Sequence, residues 1–131
     1  MEINEKQQEL IYKFNLFQQQ IQQIQEQVQM IEKGINDLNE LEKGIVEIKG
    51  KKDREILSHI GKGIFIRTKV ISEDLVVDIG KKNFVKKNIE ETRAMIRKQT
   101  GRLMEMKENL NSSLEEVNSE MAKVIEGIQR N

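Results

Sequence analysis

The sequence contains no cysteine, no proline and no tryptophan. Without cysteine the chain forms neither disulfides nor thiolate metal sites. Proline costs about 3 kcal/mol inside a helix, so its absence permits long helices without requiring them. Only 4% of the 131 residues are aromatic and 37% are hydrophobic. That is little for a thick globular core, but it suffices for a coiled coil, which needs two apolar positions in seven.

Long apolar runs are also absent, and the N-terminal stretch lacks the apolar segment of a signal peptide. We therefore expect one domain in a soluble, cytoplasmic protein without a membrane span. The net charge is zero, but the charges are unevenly distributed along the chain. Residues 1–48 carry −5, residues 49–102 carry +8 and residues 103–131 carry −3.

Apolar residues in the first third of the chain recur at alternating spacings of four and three. Their mean spacing of 3.5 predicts a helix in a left-handed coiled coil. The step from Leu38 to Leu41 is one residue short and predicts a stammer, and Gly50 is expected to end the helix. The stripe consists of Leu10, Phe14, Phe17, Ile21, Ile24, Val28, Ile31, Ile35 and Leu38, followed by Leu41, Ile45 and Ile48.

The last third carries a similar stripe, with Thr92 and Gln99 at two seam positions and a stutter near Leu114. Asn88, followed by Glu91, has the pattern of a helix N-cap. The apolar members are Val85, Ile89, Ile96, Leu103, Met106, Leu110, Leu114, Val117, Met121, Val124 and Ile128.

Two stripes of similar length on either side of a short middle segment predict one antiparallel coiled coil. From the spacing we expect the numbers of facing residues to add up to about 133. Ile48 would then face Val85, and Leu10 would lie near Val124.

The middle segment, residues 55–87, has the alternation and β-branched residues of strands. Turn residues divide it into four predicted strands, at 55–60, 64–71, 75–79 and 83–87, which form two hairpins. An isolated hairpin is marginally stable and its edges are unpaired, so we expect these strands to associate with other chains. The residues expected at that oligomeric contact are Ile64, Phe65, Ile66, Val70, Leu75, Val77, Ile79 and Phe84.

Two short patterns in this segment resemble the alpha subunit of the prefoldin family. They are Ile60-Gly61-Lys62-Gly63 with Phe65-Ile66-Arg67, and Ile79-Gly80 with Lys86-Lys87-Asn88. Asn15-Leu16-Phe17-Gln18, Leu41-Glu42-Lys43 and Gly50-Lys51 are similar to the first helix of that class and its exit. The chain departs from the pattern at Ser58-His59, where a proline is usual, and at Lys82, where a second glycine is expected.

The resemblance implies an α+β, mostly α fold over residues 1–131. A long antiparallel two-helix coiled coil, from residues 1–49 and 88–129, is joined by two β-hairpins at 55–87 that form part of an oligomeric β-barrel body. It further implies an ATP-independent chaperone without a cofactor. Two alpha and four beta subunits would form a hexamer that binds non-native polypeptide and delivers it to a group II chaperonin.

Unfolded polypeptide is expected to bind at the coiled-coil tip, where the seam loses its pairing and apolar side chains become partly exposed. Ile11 and Ile125 lie next to seam residues and widen the apolar stripe. The predicted tip residues are Ile3, Leu10, Ile11, Phe14, Met121, Val124, Ile125 and Ile128.

Two other functions remain open from the sequence alone. The basic middle segment suits an RNA-binding coiled-coil arm, although Phe65 and Phe84 are its only aromatic residues besides His59. A purely structural coiled-coil tether is the other alternative. We expect no enzyme activity and no metal site, since His59 is the only histidine and no catalytic constellation accompanies it. On the favoured chaperone interpretation we also expect no nucleic-acid partner and no membrane partner.

Overall fold

The computed structural model describes residues 4–130. It contains two long helices that flank two antiparallel hairpins, so the predicted, mostly helical α+β class is confirmed. Helix α1 covers Glu5–Ile48 and helix α2 covers Ile89–Arg130. The strands are β1 at Glu55–Gly61, β2 at Ile64–Lys69, β3 at Leu75–Asp78 and β4 at Phe84–Lys87.

The ends of the helices are capped by side chains. The backbone N–H of Glu91 donates to Asn88 Oδ1 at 2.7 Å, so the predicted N-cap of α2 is confirmed. Helix α1 ends at Ile48, and Gly50 follows with a φ of 77°, which favours glycine. The Gly50 N–H donates to the Glu73 carboxylate at 2.6 Å, which connects the end of the helix to the turn before β3.

The chain divides into two compact units. The first comprises Met1–Ile35 and Arg102–Asn131, and the second comprises Asn36–Gly101. Segments of both helices contribute to each unit, and all four strands belong to the second.

In the first unit the helices meet along an apolar seam with regular spacings of three and four. Lys107, rather than the predicted Met106, occupies the seam position between Leu103 and Leu110, since the Met106 residue is 51% exposed. The Lys107 ammonium lies 3.2 Å from the Glu32 carboxylate, so its aliphatic stem lines the seam while its charge is paired. The predicted stutter is therefore wrong, because the prediction assigned mainly apolar residues to the seam and passed over Lys107.

The second unit has a small core made from both helices and one strand. Ile96 is 1% exposed and packs with Ile45 and Ile89, and Leu38 and Leu75 cover this cluster. Two threonines lie beside it, of which Thr92 is 4% exposed. Their hydroxyls donate to carbonyl groups on their own helix, at 2.8 Å for Thr92 and 3.0 Å for Thr100, so neither carries an unsatisfied hydroxyl into the seam.

Glu42 occupies the seam position for which the sequence reading chose Leu41. The Leu41 residue is 51% exposed, whereas the Glu42 side chain is 21% exposed. Its carboxylate accepts hydrogen bonds from Arg93 Nε at 3.3 Å and from Arg97 Nε at 3.0 Å. The spacing remains four, then three, and the predicted stammer is wrong. Likewise Thr100, and not the exposed Gln99, lies on the inner face of α2.

The helices run antiparallel in each unit, and in the first unit their register differs from the predicted one. A Cβ on Gly34 would lie 3.2 Å from Leu103 Cδ1, and one on Gly127 would lie 3.3 Å from Leu10 Cδ1. The numbers of both pairs add up to 137 rather than 133. The difference arises because Val85 belongs to β4, so the first seam residue of α2 is one helical turn later in the chain.

Each hairpin is a separate two-stranded sheet. β1 pairs with β2 and β3 pairs with β4, and the register of the first hairpin shifts between His59 and Gly61. The Lys62-Gly63 turn has positive φ at both residues, of 50° and 78°, as a tight hairpin turn requires. Val70 lies beyond β2, but its N–H still donates to Arg54 O at 3.0 Å.

We predict that Gly44→Ala stabilises the chain and that Gly34→Ala does so by less. A helical Gly→Ala change gains roughly 0.5–1 kcal/mol, and no atom lies within 4 Å of a Cβ placed on Gly44. At Gly34 the same methyl group meets Leu103 Cδ1 at 3.2 Å, which offsets the gain. Urea unfolding followed by circular dichroism measures both changes. Equal stabilisation would contradict the register given above.

We also predict that Ile45→Ala costs about 2–4 kcal/mol of unfolding free energy, because it opens a cavity in the core. Leu41→Ala should cost less than about 1 kcal/mol, since Leu41 is half-exposed and loses little burial. The same unfolding measurement compares the two variants. If Leu41→Ala lowered the unfolding free energy as much as Ile45→Ala does, Leu41 would have to lie in the seam.

Candidate functional site

The apolar side chains of the hairpins are largely exposed within the chain. The least covered among the strand residues are Val76, at 71%, and Ile60, at 67%. Monomeric proteins rarely leave apolar surface of this extent uncovered. The exposed apolar residues of the second unit's hairpins and turns are Leu57, Ile60, Ile64, Phe65, Ile66, Ile71, Val76, Ile79 and Phe84.

Five of the eight predicted oligomerisation residues are among them, namely Ile64, Phe65, Ile66, Ile79 and Phe84. The other three, Val70, Leu75 and Val77, are half-buried. Leu75 packs against the core of its own chain, so part of its side chain is already covered within the subunit.

Four exposed residues were missed by the sequence reading: Leu57, Ile60, Ile71 and Val76. The alternation within the strands would have found Leu57 and Val76, because side chains two residues apart in a strand lie on the same face.

Every strand also has an unpaired edge among the residues that the structure describes, since each sheet has only two strands. His59 and Phe65 are cross-strand partners whose rings lie 4.9 Å apart. His59 Nε2 accepts a long hydrogen bond of 3.4 Å from the Gly63 N–H, which ties it to the turn. Exposed apolar side chains and open strand edges together form a surface suited to association with other strands.

A second apolar surface, which we call the terminal groove, lies in the first unit. It has a volume of about 520 Å³, and its apolar lining comes from both helices. None of its lining residues is charged. The ion pairs of this region lie within single helices, Glu9 with Lys13 and Glu126 with Arg130. The groove is lined by Ile11, Phe14, Asn15, Ile125, Ile128 and Gln129.

Four predicted tip residues thus line one groove: Ile11, Phe14, Ile125 and Ile128. Leu10 and Met121 are half-buried. The expectation of partial exposure is wrong for Val124, which is 7% exposed and belongs to the seam. Ile3 lies outside the described residues.

Reactive groups are not gathered in either place. Within residues 4–130 no cluster of three or more histidine, aspartate or glutamate side chains is arranged to hold a metal ion. In the same part of the chain, neither helix has a stretch apolar enough to cross a membrane.

Comparison with known proteins agrees with this description. The family model described as prefoldin subunit matches residues 15–131. Prefoldin subunit alpha of Methanosphaera stadtmanae is 30% identical over 92 residues, which are 70% of this chain and 67% of that protein. Prefoldin subunit alpha of Methanobrevibacter smithii is 28% identical over 125 residues, covering 95% of this chain and 81% of the relative.

A solved structure is similar in fold. The cryo-electron microscopy structure of filamentous PFD from Methanocaldococcus jannaschii aligns with a TM-score of 0.78, over 88% of this chain and 98% of that one, at 16% identity. The two long helices, the paired hairpins and the match over residues 15–131 lead to one assignment. The chain belongs to the prefoldin family of chaperone subunits, in its alpha class.

Proposed function

We propose that this subunit is an ATP-independent holding chaperone that keeps non-native polypeptide from aggregating and passes it to a group II chaperonin. The observation that carries the proposal is the terminal groove, an uncharged apolar surface with residues from both helices. It offers contact area without any reactive group, which suits a protein that holds its client and does not modify it.

Affinity at one groove is expected to be low. Burial of apolar surface contributes about 25 cal/mol per Å², and a shallow groove covers only part of a client segment. Several subunits on one body would act together, because binding at a second groove is then intramolecular. Weak single contacts also allow release without nucleotide hydrolysis.

The hairpins supply the assembly surface in this proposal. Open strand edges and exposed apolar residues such as Phe65 and Phe84 would be covered by strands of neighbouring subunits. We propose beta-class prefoldin subunits as these neighbours, with two alpha and four beta subunits in a cytoplasmic hexamer. The body would be a β-barrel that contains both hairpins of this chain.

The alternatives from the sequence receive less support. For an RNA-binding arm the basic segment would need an aromatic stacking platform, but Phe65 and Phe84 are its only aromatic residues besides His59. A plain tether would not need apolar residues such as Ile11 and Ile125 beside the seam. Membership of a chaperone family favours the holding function over both.

We predict that Phe65→Ser yields smaller species in sedimentation velocity while the helical circular dichroism is retained. Phe65 is 54% exposed in the chain, so its loss should disturb contacts between subunits more than the fold. Met104→Ser is the matched control, because Met104 is similarly exposed, at 57%, but lies in the first unit. If the Phe65 variant sediments like the wild type, the hairpins are not the assembly surface.

A second prediction concerns holding activity. The double change Ile11→Ser and Ile125→Ser removes apolar area from the terminal groove but keeps the seam. Each loss is estimated at about 1 kcal/mol, so affinity for an unfolded test protein should fall roughly tenfold or more. Suppression of aggregation should fall with it, and ATP should have no effect.

Tyr12→Ser is the control for this change. Tyr12 is more exposed than Ile11, at 64% against 37%, but it does not line the groove.

Deletion of residues 1–9 and 122–131 should abolish holding while the oligomer persists, since no strand is removed. A truncated oligomer that still prevents aggregation fully would rule out this end of the helices as the binding site.

A further inference from the structure

One stretch of α1 has no charged residue, although 34% of the chain is charged. It covers residues 14–25, in which six of the twelve residues are glutamine. A solvated helix face is commonly built from charged residues, which pair at spacings of three and four. This stretch carries carboxamides instead, each with a donor and an acceptor.

Four of these carboxamides form a stripe along one flank of the seam. Asn15, Gln18, Gln22 and Gln25 recur at spacings of three and four, which places them on one helix face. They line a groove of about 650 Å³, together with Gln19, Ile21 and Met121. We call this the carboxamide groove. All four residues of the stripe are exposed.

Most of these amides have no partner within the chain. The Gln22 side chain donates to the Glu26 carboxylate at 3.4 Å, which is a long hydrogen bond. Among the described residues, the side chains of Asn15, Gln18 and Gln25 make no hydrogen bond to one another or to α2. Their donors and acceptors therefore face solvent in a row.

The carboxamide groove is continuous with the terminal groove. Asn15 lines both, and Met121 precedes Ile125 by one helical turn along α2. From Ile11 to Gln25 the joined surface extends over fifteen residues of α1, a rise of about 21 Å. An extended polypeptide rises about 3.3 Å per residue, so roughly six client residues match this length.

We infer that the two grooves form one binding channel for an extended segment of non-native polypeptide, in which the carboxamide stripe recognises the backbone of the client. The inference rests on the proposed holding function. The terminal groove takes apolar side chains, and Asn15, Gln18, Gln22 and Gln25 exchange hydrogen bonds with peptide N–H and C=O groups.

The chemistry of the stripe favours this occupant. A carboxamide presents the same donor and acceptor as a peptide group, so it pairs with any backbone whatever the client's sequence. Folded proteins satisfy their own backbone groups, whereas an extended, unfolded segment exposes both. Because the channel lining is uncharged, it neither attracts nor repels clients by their net charge.

The experiment compares two pairs of glutamines on α1 in the full-length chain, in its native assembly. Gln18→Ala with Gln25→Ala removes two carboxamides from the stripe. Gln20→Ala with Gln23→Ala makes the same change in composition on the opposite flank of the seam, at residues that line neither groove. Alanine is a strong helix former, so both pairs should retain the helix.

The probes are two fluorescein-labelled hexapeptides of alternating valine and serine, one plain and one N-methylated at alternate backbone nitrogens. Fluorescence anisotropy should show that the wild type and the Gln20/Gln23 variant bind the plain peptide about five- to tenfold more tightly than the methylated one. The Gln18/Gln25 variant should bind both peptides equally weakly.

Retained discrimination in the Gln18/Gln25 variant would overturn the inference while leaving the holding function intact. A changed sedimentation coefficient in that variant would also overturn it, because the stripe would then contact a second copy of the chain. If the wild type bound neither peptide and did not suppress aggregation, both the inference and the proposed function would fail.

Discussion

The structure depends on one constraint, the regular spacing of three and four that brings a narrow stripe of each helix into contact with the other. With so few apolar residues, the chain places most of those in its helices in this seam. Other helical positions are mainly polar, so an apolar residue beside the seam is informative. Ile11 and Ile125 are two such residues, and they line the same groove.

Polar residues within the seam distinguish between helix registers that the apolar residues alone would allow. A repeating stripe slipped by one heptad would still place apolar side chains opposite one another. It would, however, separate Glu42 from Arg93 and Glu32 from Lys107, and leave partly buried charges without partners. The partly buried Glu42–Arg93 pair therefore favours the observed register, while the apolar layers stabilise the contact between the helices.

The sequence predicted the elements and their order well, because helix caps, turn residues and periodicity are local signals. Asn88, Gly50 and the Lys62-Gly63 turn all have the roles expected of them. The register and the polar seam positions were predicted poorly. Whether Glu42 or Leu41 faces the partner helix depends on arginines about fifty residues away, and no local pattern records that pairing. The terminal groove could be anticipated only as a set of tip residues, because neighbours such as Val124 and Ile125 differ in burial by their angle around the helix. The carboxamide groove was not predicted, apart from Met121.

The two exposed surfaces differ in what they require of a partner. The hairpins combine open strand edges with many exposed apolar residues, a combination that favours aggregation unless it is permanently covered. In the proposed assembly their partner is therefore another structured strand that covers them permanently. Along the proposed channel the backbone groups of α1 are satisfied within the helix. Its exposed amides can hydrogen-bond to water, and only a few of its lining side chains are apolar. Such a surface is stable when empty, as the proposed repeated binding and release of a client requires. The two proposed roles, permanent assembly and transient holding, thus match the different chemistry of two segments of one chain.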